Sequence, residues 1–298
     1  MHGVVEKEKT VMSKYVIFTD SSTDLVPEII DSPDIKYIQL DVIVEGEEAR
    51  PNCDVDSKEF YAKLRTKKNA TTSAASIEKF IEQMEPVLSE GKDILYIGFS
   101  SGLSGTYNAG FVAANELSEK YPDRKIYTVD TLAASLGEGL IVYLAAKKME
   151  EGATIDEVRD FVEENKLHMA HWFTVDDLFF LKRGGRVSAA TAVVGSMLSI
   201  KPVMHMDNAG KLIKVTTARG RKASIDALFN KMQETGIDLQ NQVIFISHGD
   251  ALADAEYLAN RIRNEIGVKD IKISYVGPVI GAHSGPGTLA LFFLATER

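Results

Sequence analysis

Cysteine is almost absent from this 298-residue chain. The single thiol, Cys53, excludes an internal disulfide, a C-x-x-C redox pair and a cysteine zinc site. There is no run of 18 or more apolar residues, so no membrane-spanning helix is expected. The opening MHGVVEKEKTVMSKY carries charge where a secretory leader needs an apolar stretch, and a cytoplasmic protein is expected. Positive charge is also short. Against 34 Lys and Arg stand 43 Asp and Glu, giving a formal charge of −9 that disfavours non-specific nucleic-acid binding. No zinc-finger, homeodomain or RNP signature is found, and nothing reads GxxxxGK[ST], so no nucleic-acid partner and no P-loop nucleotide are expected. His168 and His171 straddle a helix-to-strand change and no Asp, Glu or His completes a set around them. They are read as structural, and no metal is expected.

What is present is a regular alternation of short β-branched runs and helical patterns, the signature of an α/β fold. Tyr15–Thr19 reads as a strand ending at the polar cluster Asp20-Ser21-Ser22-Thr23-Asp24. Ser76 caps a helix with Ile77, Phe80, Ile81, Met84 and Leu88 on one stripe. Strands at 94–99 and 125–129 each lead through a hydroxyl-rich loop into a helix. Thr154-Ile155-Asp156-Glu157 is a capping box for a helix to about Leu167. A domain of 14–167 with a parallel sheet is expected to end there. The rest, 168–298, has another rhythm: a strand over 171–175, a basic loop over 181–186, and a buried helix over 187–199. A hairpin about Asp207-Asn208-Ala209-Gly210 follows, then helices and strands with a final apolar run from Leu289. A mixed-sheet α/β domain is expected.

Four motifs carry chemistry. Gly277-Pro278-Val279-Ile280-Gly281-Ala282-His283-Ser284-Gly285-Pro286-Gly287 sets one imidazole among glycines and prolines, which predicts a shaped loop holding a base, ligand or anion donor. Gly98-Phe99-Ser100-Ser101-Gly102 matches G-x-S-x-G between a strand and a helix and raises a serine hydrolase with Ser100 as nucleophile. The intervening Leu103-Ser104-Gly105-Thr106 is unlike a nucleophile elbow. Read without catalysis, the same segment offers Ser100, Ser101, Ser104 and Thr106 beside a helix start, a set suited to an anion that His283 could complete. Two basic clusters, Lys182-Arg183-Arg186 and Arg219-Arg221-Lys222, read as a solvated face or as a phosphate or acidic-partner contact.

Taken in order, these segments resemble the DegV family of bacterial fatty-acid-binding proteins, which includes the FakB subunits of fatty acid kinase. The resemblance runs from about Lys14 and rests on Asp20-Ser21-Ser22, Thr72 to Ser76, Ser100 to Tyr107, Val129-Asp130-Thr131, Leu181 to Ser188, and Gly277 to Gly287. It departs from the family pattern at Ala74-Ala75, where Gln or Met followed by Pro is usual. It implies a two-domain fold enclosing one long-chain fatty acid such as palmitate, stearate or oleate, with no other cofactor. It implies a carboxylate held by Thr72, Ser101 and His283, with Ser73 and Ser100 beside them. Arg186, Arg219 and Arg221 match positions near the head group or the partner surface. It further implies a carrier whose bound acid a separate kinase phosphorylates with ATP for phospholipid synthesis, with at most transient contact with a membrane surface. The run Ala189, Ala190, Ala192, Gly195 is expected to leave room for the acyl tail. A sugar-binding phosphoenzyme shares only the architecture.

Overall fold

The computed structural model describes residues 14–188 and 199–298. The charged N-terminal stretch and the helix expected over 187–199, with its Ala189, Ala190, Ala192 and Gly195, lie outside the described residues except for the ends of that segment.

Three sheets organise the described residues. The first is wholly parallel, with β1 (Tyr15–Asp20) flanked by β2 (Ile35–Ile38) and β6 (Asp93–Gly98), and β7 (Ile126–Asp130) outside β6. Alternation along β1 and β6 sends Val16, Phe18, Ile94 and Tyr96 to one face, against Phe80 and Met84 of α2 (Ile77–Ser89) and Ala113 and Leu117 of α3 (Thr106–Lys120). Tyr15, Ile17, Leu95 and Ile97 take the other face, against Leu140 and Ile141 of α4 (Leu136–Glu150) and Val158 and Val162 of α5 (Ile155–Asn165). Burial on both faces is why these strands are apolar at consecutive positions.

The second sheet is mixed, in the order β10 (Leu212–Arg219), β9 (Ile200–Met206), β8 (Met169–Thr174), β13 (Leu289–Leu294), β11 (Val243–His248), β12 (Asp270–Tyr275). Only β11 and β12 pair in parallel. Its outer face is covered by α7 (Arg221–Thr235) and α8 (Leu252–Glu265), whose Leu228, Phe229, Leu258 and Ile262 are buried. Its inner face, including Phe173, Met204, Phe245 and Phe292, shares one core with α4. A helix between two sheets must be apolar all round, and α4 buries Leu136, Leu140, Ile141, Val142, Ala145 and Met149.

The third sheet is small and antiparallel. β3 (Asp41–Val44) lies between β4 (Arg50–Pro51) and β5 (Ala70–Ser73), beside α1 (Ser57–Arg65). Thr72 therefore sits on an antiparallel strand outside the parallel sheet. Two differences from the sequence expectation bear on the site. The basic segment begins as a short helix, α6 (Phe179–Arg183). The Gly-Pro segment is a helix, α9 (Pro278–Ser284), because Pro278 occupies the first turn, where a missing N–H costs nothing. Gly285 and Gly287, at φ of 80° and 78°, end it.

Candidate functional site

Between the first and second sheets lies a cavity of about 190 Å³, larger than the roughly 150 Å³ in which an apolar cavity holds benzene. Leu40, Phe99 and Leu103 from the first half of the chain and Phe173, Met206 and Phe292 from the second give it an apolar wall.

Its polar end is built where β5 meets α9. Thr72 Oγ1 lies 2.8 Å from Nε2 of His283, a hydrogen bond between residues 211 positions apart. Alternation along β5 turns Thr72 toward α9. The imidazole is further confined by Gly184, where a Cβ would overlap Nδ1 of His283. Arg186 also lines this end; its Nε donates to the Leu103 carbonyl at 3.2 Å and its Nη1 to that of Gly184. Burial, reinforced by the guanidinium groups of Arg186 and Arg183, holds the His283 pKa down at about 4. The ring is therefore neutral near pH 7, with one N–H to donate and one nitrogen to accept. Of the roles expected for His283, the anion donor is here a neutral imidazole N–H beside an arginine cation, since burial lowers the Arg186 pKa from a value so high that it keeps its charge. A guanidinium, an imidazole N–H and hydroxyls together can hold a carboxylate.

The remaining expected residues fall in different places. Ser73 is exposed and turned away from Thr72 by strand alternation. Ser101 is exposed, its backbone N–H donating to Asp130 at 3.2 Å, and it is not on the cavity wall. Ser104 is on the wall instead. The turn in which the N–H groups of Leu103 and Ser104 bond to the Ser100 carbonyl brings it there, its hydroxyl 2.9 Å from Thr106 Oγ1. Ser100 is buried and donates to the Gly210 carbonyl at 2.8 Å, so its hydroxyl ties the loop to the β9–β10 turn. A nucleophile elbow needs its serine free at a helix start. Here the helix begins at Thr106 and the hydroxyl is engaged, and the geometry gives the hydrolase reading no support. Arg219 is exposed at the end of β10, and Arg221 pairs with Asp254 at 2.8 Å. Neither lines the cavity.

Sequence reasoning missed other wall groups. His171 lines the cavity while its Nδ1 bonds to the Met169 carbonyl at 2.8 Å and its Nε2 accepts from the Ala134 N–H at 3.3 Å. Ser135, Ser247 and Ser284 also reach the wall. Only Ser284 had a local signal, as the neighbour of His283. Among the described residues, no cluster of three His, Cys, Asp or Glu side chains could hold a metal ion, and no helix is long and apolar enough to cross a membrane.

The comparisons with known proteins agree with this architecture. A DegV domain-containing protein of Clostridium perfringens is 47% identical over 289 residues, covering 96% of this chain and 99% of its own length. The structure of a Thermotoga maritima protein described as revealing a fatty acid binding function superposes with a TM-score of 0.81 at 32% identity, covering 95% of this chain and 99% of that one. A DegV family protein of Thermus thermophilus, described by its fatty acid binding, gives 0.85 at 27% identity, covering 94% of this chain and 99% of that one. The profile of the family described as uncharacterised protein, DegV family, matches residues 14–296. With a two-sheet α/β architecture and a match over nearly its whole length, the chain belongs to the DegV family.

Proposed function

We propose that this protein binds a single long-chain fatty acid, such as palmitate, stearate or oleate, and presents its carboxylate to a separate ATP-dependent fatty acid kinase. In this reading residues 14–167 supply Thr72 and the hydroxyl loops, and residues 168–298 supply Arg186, His283 and most of the apolar wall. The carrying observation is the Thr72–His283 pair beside Arg186 in a mostly apolar cavity. The fatty acid binding described for the Thermotoga maritima and Thermus thermophilus proteins supports it. Each methylene taken from water contributes about 0.8 kcal/mol, so a C16 chain supplies on the order of 10 kcal/mol before association costs. The polar groups then need only fix orientation, and catalysis belongs to the partner kinase. The acyl phosphate formed there would feed phospholipid synthesis in the cytoplasm. Ser101, exposed on the loop next to Ser104, would reach the carboxylate or the kinase only at the cavity mouth. Arg219 and Arg221 would act toward the partner.

Denaturing extraction of the purified protein with mass spectrometry, paired with a native mass spectrum, tests the binding. One stoichiometric fatty acid is the expected result, and an empty protein that also refuses palmitate, stearate and oleate would overturn it. Mixing the loaded protein with ATP and a fatty acid kinase catalytic subunit tests presentation. ADP release that depends on this chain is expected, and release unaffected by it would remove the kinase step.

A further inference from the structure

The cavity wall carries more polar groups than a carboxylate at one end requires. Besides the Thr72–His283 pair, Ser135, Ser247 and Ser284 also line it, Ser284 from the position next to His283 on α9. Ser135 Oγ donates to Oδ2 of Asp24 and lies 3.1 Å from Ser247 Oγ. Asp24 is buried behind the two serines. Ser284 is only 5% exposed, and its hydroxyl has no partner either. The neighbouring Thr288 hydroxyl is already committed to the Ser284 and Gly285 carbonyls, at 3.1 and 2.8 Å, and does not satisfy it.

An acyl tail needs none of this, because an apolar wall would hold it better. A buried hydroxyl without a partner is destabilising and calls for an explanation. The charge arrangement also separates Ser135 and Ser247 from the head-group end. There the ionisable neighbour is the cation Arg186; here it is the carboxyl of Asp24, which offers an anion no positive charge, so a second carboxylate or a phosphate is disfavoured. A neutral hydroxyl fits. It brings one donor and two lone pairs, and the station offers the opposite set, with the unspent donor and acceptor of Ser284 and the acceptor capacity of Ser247. Resting on the fatty-acid reading above, we infer that Ser135, Ser247 and Ser284, backed by Asp24, form a second polar station that selects acyl chains bearing a hydroxyl group beyond the carboxylate.

The test is competitive native mass spectrometry on the full chain, with stearate set against stearic acids carrying one hydroxyl at carbon 3, 10 or 12. At least one positional isomer should bind no more weakly than stearate. Ser284→Ala should then lower that isomer's affinity relative to stearate by about tenfold, equivalent to about 1.4 kcal/mol, and Ser247→Ala should act in the same direction. Stearate occupancy on each variant tells a lost station from a lost fold. If every isomer binds the unaltered protein more weakly than stearate, or if neither variant lowers the ratio, the station is refuted and fatty-acid binding stands. If stearate itself does not bind, it is the proposed function that fails.

Discussion

A methyl group at Gly184 tests the head-group geometry without touching a polar atom. Gly184 has φ −70° and ψ −9°, which alanine adopts without strain. The whole effect therefore passes through space, where the new Cβ would overlap His283 Nδ1 and approach its Cγ and Cε1 at 3.2 and 3.3 Å. Relieving that overlap moves the imidazole by about 1 Å. The 2.8 Å bond to Thr72 then passes the roughly 3.5 Å beyond which a hydrogen bond is not made. The same shift draws the imidazole away from the bound carboxylate, and because hydrogen bonds to a charged group contribute about 1.5–3 kcal/mol, Gly184→Ala should weaken fatty-acid binding by roughly 10- to 150-fold. Titration with a fluorescent fatty acid reads this directly, and the thermal midpoint should move by no more than a few degrees. The decisive comparison is a cycle with His283→Ala. If the methyl acts through the imidazole, it adds nothing once the imidazole is gone. Equal weakening in both backgrounds would refute the reasoning.

Three other outcomes are expected. In the ligand-free protein the His283 imidazole should titrate near 4 by NMR; because its folded pKa lies below the ordinary 6.5, stability falls as pH drops from about 6.5 toward 4, and a bound carboxylate should raise the midpoint. A midpoint of 6.5 in the free protein would contradict the burial argument. Burial first, and then the charge of Asp20, raise the Asp24 pKa to about 7 against the opposing bonds from Ser135 and Gly277. The folded state thus holds a proton that the unfolded chain releases near 4, and stability declines as pH rises from about 4 to 7. Asp24→Asn, tolerated at φ 55°, should therefore stabilise the protein by up to a few kcal/mol at pH 8 and far less at pH 4, and equal melting shifts at both pH values would count against it. Ser100→Ala leaves the buried Gly210 carbonyl without its donor at a cost of about 1–3 kcal/mol, lowering the melting temperature by several degrees without changing any ester turnover; a loss of turnover would restore the hydrolase.

Much of the architecture was legible because it rests on local patterns. The run Tyr15–Phe18 is apolar at every position and forms β1, and Thr154 and Glu157 make the reciprocal capping bonds their spacing announces. Asp207 to Gly210 turns the hairpin of β9 and β10. The short strands β2 to β5 and helix α1 were not read, because two to four residues of mixed polarity give too little periodicity. The Gly-Pro segment was read as a loop because glycine and proline counts say nothing of where a seven-residue helix finds its packing, which here is the small sheet and α6.

Of the site, the sequence determined which side chains are available: Thr72, His283, the hydroxyls of residues 100–106 and the arginine at 186. Residue type and backbone preference are properties of neighbours along the chain, and they were readable there. The tertiary structure decided which of these meet. It seated Thr72 against His283, exchanged Ser101 for Ser104 on the wall, tied Ser100 to Gly210, and brought Ser135, Ser247 and Ser284 to one cavity. It also decided that His283 is neutral, because desolvation and nearby guanidinium charge depend on what packs around a ring and not on what precedes it in the chain.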